Sequence, residues 1–196
     1  MSEKEIHPGP HSQLADDILS HTVLRLIPRS VTPNSVTIVR FICVPIVISL
    51  LLSESYGWAA IVFALAAFTD ALDGAMARTR GQITFWGKVA DPLADKLLIG
   101  ATALILVSRF VGLDVAALVV GIELLLIIRA LYRHKNGRDA GANAMGKVKM
   151  VLQSLALLTL FAYAIYGAPL LLAVAMVGLA FAILVALASL VTAPAP

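Results

Sequence analysis

The chain has 196 residues, of which 60% are hydrophobic and 14% charged, and its mean hydropathy is +0.92. That balance excludes an ordinary soluble domain, which carries more charge and shorter apolar runs. The single cysteine, Cys43, sits inside an apolar run and excludes a disulfide framework or a thiolate metal centre within one chain. The formal net charge of +3 is modest, and no nucleic-acid partner is expected.

In chain order, residues 1–11 are polar and contain His7, Pro8, Gly9 and Pro10; disorder is expected there. The first long apolar run starts only at Val36, so no cleavable signal is expected. Between them lies "SQLADDILSHTVLRLIP", in which Leu14, Ile18, Leu19, Val23 and Leu26 recur at helical spacing. This predicts an amphipathic helix over 12–29, lying in the membrane interface or packed on the protein's own cytoplasmic face. A transmembrane helix needs roughly 20 mostly apolar residues. Six segments suit that requirement: Val36–Leu52, Trp58–Ala77, Val89–Val107, Val115–Leu131, Val148–Tyr166 and Leu170–Val191. The expected fold is therefore an all-α integral membrane protein, with one six-helix transmembrane domain over 30–192 behind the interfacial helix. Most connections are short; the exception is the basic loop "YRHKNGRDAGANAMGK" between spans four and five. Of the fifteen Lys and Arg residues, Arg109 alone falls in a loop on the side opposite the rest. The positive-inside bias then places both termini, and the junction of spans two and three, in the cytoplasm.

That junction, "TDALDGAMARTRGQITFWGKVADPLADK", gathers Asp70, Asp73, Asp91 and Asp95 within 26 residues. On helices, Asp70 and Asp73 share one face, while Gly87, Asp91 and Asp95 form a single stripe at four-residue spacing. An antiparallel hairpin would bring both pairs together. Four neighbouring carboxylates cannot all stay ionised uncompensated. One or two divalent cations resolve the conflict, and oxygen-only ligands suit Mg2+ or Mn2+. Gly74 and Gly87 would let a bulky ligand approach the backbone. Arg78 offers a planar fork for phosphate, and Thr84 a hydroxyl. Together these describe a site for a diphosphate–metal complex. Isolated membrane aspartates can instead cap helices or serve a transporter's cation site, a poorer account of four acids with two matched glycines.

The pattern Asp70-x-x-Asp73-Gly74-x-x-Ala77-Arg78, eight residues, then Gly87-x-x-x-Asp91-x-x-x-Asp95 resembles the complete signature of the CDP-alcohol phosphotransferase family. The six spans, the interfacial helix and "TPNSVT" before span one extend the similarity over nearly the whole chain. The resemblance implies transfer of a phosphatidyl or related group from a CDP-linked lipid, such as CDP-diacylglycerol, to an alcohol, with release of CMP. It further implies that Asp70, Asp73, Asp91 and Asp95 hold the metals and that Asp95 is also the base. Gly74, Arg78 and Thr84 would contact the CDP group, with Ala77 and Gly87 lining its pocket. Thr32, Pro33, Asn34 and Ser35 match the short segment before span one that closes over the nucleotide. A homodimer in the cell (inner) membrane, with the active site facing the cytoplasm, is part of the same expectation.

"DPLADK" and "GKVKMVLQ" resemble the phosphatidylglycerophosphate synthases within that family, making glycerol 3-phosphate the expected acceptor. Inositol phosphate or phosphatidylglycerol are the alternatives with the same chemistry. Arg129, Arg133, Lys147 and Lys149 are the candidates for the acceptor's phosphate; anchoring to anionic lipid is the competing account of these cations. The glycerophosphate branch often has an Arg-Glu pair in span four, whereas here Ile122 precedes Glu123. Glu123 is expected near mid-helix, facing the cleft, a neighbouring helix or a dimer partner. From another class, a cation-coupled transporter would tend to show midplane acids in two related halves; here the acids lie on one side, with no visible repeat.

Overall fold

The structure, a computed structural model, describes residues 33–80, 85–135 and 144–192. Side chains at 70–89, 91–92 and several helix-end positions lie outside that description. So do the segments expected to be disordered (1–11) and amphipathic (12–29), together with Thr32 and Thr84. The described chain is all-helical: α1 Pro33–Leu52, α2 Tyr56–Arg80, α3 Phe85–Phe110, α4 Leu113–Lys135, α5 Ala144–Tyr166 and α6 Pro169–Thr192.

The helices outrun the apolar segments that announce them, because the hydrogen-bond ladder continues wherever residues tolerate it. α2 runs three residues past Ala77 and α3 begins four before Val89. α1 starts at Pro33, so Pro33, Asn34 and Ser35 form its first turn rather than a segment ahead of it. Proline suits that place: its φ is already helical, and its missing N–H would have found no partner in the first turn. α6 likewise opens on Pro169.

Turns are closed locally. Glu54 adopts φ 60° between α1 and α2, where Ser55 N–H donates to Leu50 O at 2.8 Å. Gly167, φ 68°, ends α5 with its N–H on Tyr163 O at 2.8 Å. This is the left-handed cap that glycine accepts without a Cβ penalty.

α3 is the central helix, packing on α1, α4 and α5 and, more lightly, on α2. α5 and α6 pack most extensively, and Gly178 lets them approach: a Cβ there would stand 3.0 Å from Ala156 Cβ. The core joins Val47, Leu51, Phe63, Leu98, Leu106, Leu157 and Phe161, with the Phe63 and Phe161 rings 5.6 Å apart. Outward faces are apolar as well: Ile38 and Ile42 on α1, Leu65 on α2, Leu124 and Leu125 on α4, and Val177 and Phe181 on α6 are exposed. Exposed apolar surface on this scale suits lipid rather than water. Ser35–Leu52, Val148–Tyr166 and Pro169–Leu190 are each long and apolar enough to cross a membrane. α2, α3 and α4 are of similar length, but their apolar character is interrupted by acids and bases.

Candidate active site

α2 continues unbroken through Asp70 and Asp73 to Arg80, and α3 is already helical before Gly87. The spacings of three and of four therefore place each set on one helical face, as the sequence predicts. Just before the first acid, Thr69 Oγ1 donates to Ala66 O at 2.7 Å, a bond inside the same helix. The two helices are consecutive, pack lightly on each other, and both pack on α1.

Of the four aspartates, Asp95 is the one whose side chain is described, and it is 4% exposed. A carboxylate buried in an apolar bundle is costly unless compensated. The side chains of Asp70, Asp73 and Asp91, and those of Pro33, Asn34, Ala77 and Arg78, lie outside the described residues, as do the surroundings of Gly74 and Gly87. Among the described residues no three metal-ligating side chains meet. The donor set that the helices carry is nonetheless coherent. It consists of carboxylates on two neighbouring helices, one of them buried, with no sulfur or nitrogen among them, which fits a hard divalent cation.

α1 contributes polar groups that its apolar composition conceals. Thr37 and Arg40 are buried, at 2% and 0% exposure, and both are engaged within the protein, as is Ser35. An arginine in the middle of a hydrophobic run was the available signal, since such a residue turns inward by default.

A second polar cluster lies near Lys96, the residue after Asp95. Glu123 on α4 and Lys149 on α5 form a buried ion pair, each side chain 8% exposed. Among the described residues α4 and α5 do not pack directly on each other, so the two long side chains span the gap between them. A crevice of about 10 Å³ opens there, lined by Glu123, Lys149, Gln153, Leu179 and Ala182 among others. Such a volume is roughly that of one water. Gln153, 2% exposed, has both amide atoms unpaired among the described residues. Half-buried Lys96, next after Asp95 on α3, feels the charges of Glu123, Lys149 and Asp95.

The expected acceptor cations therefore divide. Lys149 is committed to Glu123. Arg129 donates to the Leu190 carbonyl near the end of α6, where an arginine satisfies a carbonyl the helix leaves open. The side chains of Arg133 and Lys147 lie outside the described residues. Glu123 faces a neighbouring helix rather than a dimer partner.

The model for CDP-alcohol phosphatidyltransferases matches residues 30–192. The chain belongs to the CDP-alcohol phosphatidyltransferase family. Members of this family generally depend on a divalent metal, in keeping with the carboxylate donor set, and membership sets the transporter alternative aside. Its relatives include three bacterial proteins named CDP-diacylglycerol–glycerol-3-phosphate 3-phosphatidyltransferase. The Rickettsia typhi protein is 39% identical over 82 residues, 39% of this chain and 45% of its own length. That of Pseudomonas fluorescens is 40% identical over 101 residues, 48% of this chain and 51% of its own. That of Bacillus subtilis is 30% identical over 141 residues, 63% and 72% respectively. The chain spans about half the length of the first two.

Proposed function

We propose that the protein transfers a phosphatidyl group from CDP-diacylglycerol to the hydroxyl of glycerol 3-phosphate, releasing CMP. The observation that carries this reading is the complete aspartate signature on two consecutive helices of a chain belonging to this family. The names of the relatives support the acceptor. Inositol phosphate and phosphatidylglycerol are the alternatives tested beside it.

In this reading Asp70, Asp73, Asp91 and Asp95 hold one or two Mg2+ or Mn2+ ions, which when bound offset the charge of the diphosphate. Gly74, Ala77, Arg78, Thr84 and Gly87 receive the CDP group, with Thr32, Pro33, Asn34 and Ser35 at its edge. Asp95 takes the proton of the acceptor hydroxyl as the hydroxyl oxygen attacks the lipid-bearing phosphorus; the bond to the CMP phosphate breaks and CMP leaves. A base must lie within hydrogen-bond reach of that hydroxyl. A buried carboxylate on the central helix is well held for the task.

The same proposal takes all six helices as spans within the domain over 30–192, preceded by an interfacial amphipathic helix over 12–29. Both termini and the active site face the cytoplasm of an inner membrane, and a homodimer is the expected assembly. A lipid donor could then keep its tails in the bilayer while a soluble acceptor enters from the cytosol.

The test is CMP release by purified protein given CDP-diacylglycerol, Mg2+ or Mn2+, and each acceptor in turn. Release should require both metal and acceptor and be fastest with glycerol 3-phosphate. Release with inositol phosphate instead would overturn the acceptor, and no release with any alcohol would overturn the reaction. Asp95→Asn should lower turnover by about 10²–10⁴-fold, the usual contribution of a general base, with the donor KM little changed.

A further inference from the structure

Lys96 was not among the acceptor candidates that the sequence suggests, yet its surroundings single it out. Resting on the reaction proposed above, we infer that Lys96 is the cation that meets the acceptor's phosphate and makes the site prefer a phosphorylated alcohol to a neutral one.

Of the five basic side chains among the described residues, four are engaged elsewhere. Arg109 lies at the other end of the bundle, paired with Glu54. Arg129 is spent on the Leu190 carbonyl. Arg40 is fully buried and engaged. Lys149 is buried, and its charge is met by Glu123. Lys96 is only half-buried and makes no hydrogen bond or close ion pair among the described residues. Among the described residues nothing takes up its three ammonium protons.

Position supports the assignment. Consecutive Cα atoms lie about 3.8 Å apart, so Lys96 leaves α3 immediately beside the proposed base. Side chains one residue apart diverge by about 100° around the helix, so the carboxylate and the ammonium leave α3 in different directions. Glycerol 3-phosphate has its attacking hydroxyl and its phosphate at opposite ends of three carbons. A carboxylate for the first and an ammonium for the second is the complementary pair. Because the charge of Lys149 is already met by Glu123, the acceptor's phosphate would be drawn to Lys96 rather than to Lys149. A lysine is a point charge on a flexible stem, able to follow an acceptor that binds and leaves each turnover.

Lys96→Met, Lys96→Arg and Lys149→Met would be compared with the parent protein for CMP release. Both glycerol 3-phosphate and plain glycerol would serve as acceptors, with KM measured for donor and acceptor separately. Lys96→Met should raise the KM for glycerol 3-phosphate at least tenfold, leave the donor KM within about twofold, and remove most of the preference over glycerol; Lys96→Arg should keep much of that preference. An unchanged acceptor KM in Lys96→Met overturns the assignment. So does a loss of donor and acceptor binding together, or an acceptor-specific loss in Lys149→Met instead. A parent protein that releases no CMP with glycerol 3-phosphate overturns the reaction itself, and the assignment with it.

Discussion

Two ion pairs among the described residues join distant parts of this bundle, and they differ in nearly everything but their chemistry. At one end, Arg109 in the last turn of α3 pairs with Glu54 in the α1–α2 turn, the side chains 38% and 61% exposed. Arg109 also lies 5.8 Å from the centre of the Tyr56 ring. That ring meets Phe110 edge-on at 5.6 Å, and Phe110 meets Tyr163 at 5.5 Å. Near Lys96, Glu123 and Lys149 form a pair from which solvent is nearly excluded. The exposed pair closes an end that aromatic packing already holds together. The buried pair joins two helices that do not otherwise pack closely among the described residues, near the residue that follows the proposed base.

Burial sets what each pair is worth, and variants at each pair measure it. The largest stability effect is expected at the buried pair. Lys149→Met should cost about 3–5 kcal/mol, because it leaves the Glu123 carboxylate buried and uncompensated. Adding Glu123→Gln should recover much of that loss, read as the thermal midpoint in detergent. If the double variant is no better than Lys149→Met, the pair is not the unit described here. An intermediate effect is expected where the bundle is tightest. Gly178→Val should cost about 1–3 kcal/mol by overpacking against Ala156, lowering the thermal midpoint without changing the acceptor KM. The smallest belongs to the exposed pair, where Glu54→Ala should cost about 0–1 kcal/mol. A loss there as large as that of Lys149→Met would erase the distinction.

Much of this was legible in the sequence. Apolar length located all six helices, and the four acids do lie on two consecutive helices. The bounds were less legible. The segments drawn from apolar content stop short of the basic helix ends, whereas α2 carries on through Arg78 to Arg80 and α4 through Arg133 to Lys135. The partner of Glu123 was not legible at all, because composition does not say which helix a mid-helix acid will face. Register held a partial signal. Lys149, Gln153, Ala156, Leu157 and Leu160 recur at spacings of four and three and are all buried, as are Ala116, Val119 and Glu123 on α4. Taken as inward faces, those two stripes would have turned Glu123 and Lys149 to the same interior. Basic residues near helix ends were read instead as one class. The structure separates a carbonyl cap, Arg129, from a buried partner, Lys149, and among the described residues leaves half-buried Lys96 next to Asp95.

The most direct test of the reaction follows the acceptor rather than the leaving group. Purified protein in mixed micelles with CDP-diacylglycerol and Mg2+ or Mn2+ would be given isotope-labelled glycerol 3-phosphate, and the organic phase examined for the label. The reading predicts a metal-dependent phospholipid carrying the label, formed one for one with CMP and absent with Asp95→Asn. CMP appearing while all the label stays in water would mean that the protein hydrolyses the donor, and would contradict phosphatidyl transfer to this acceptor.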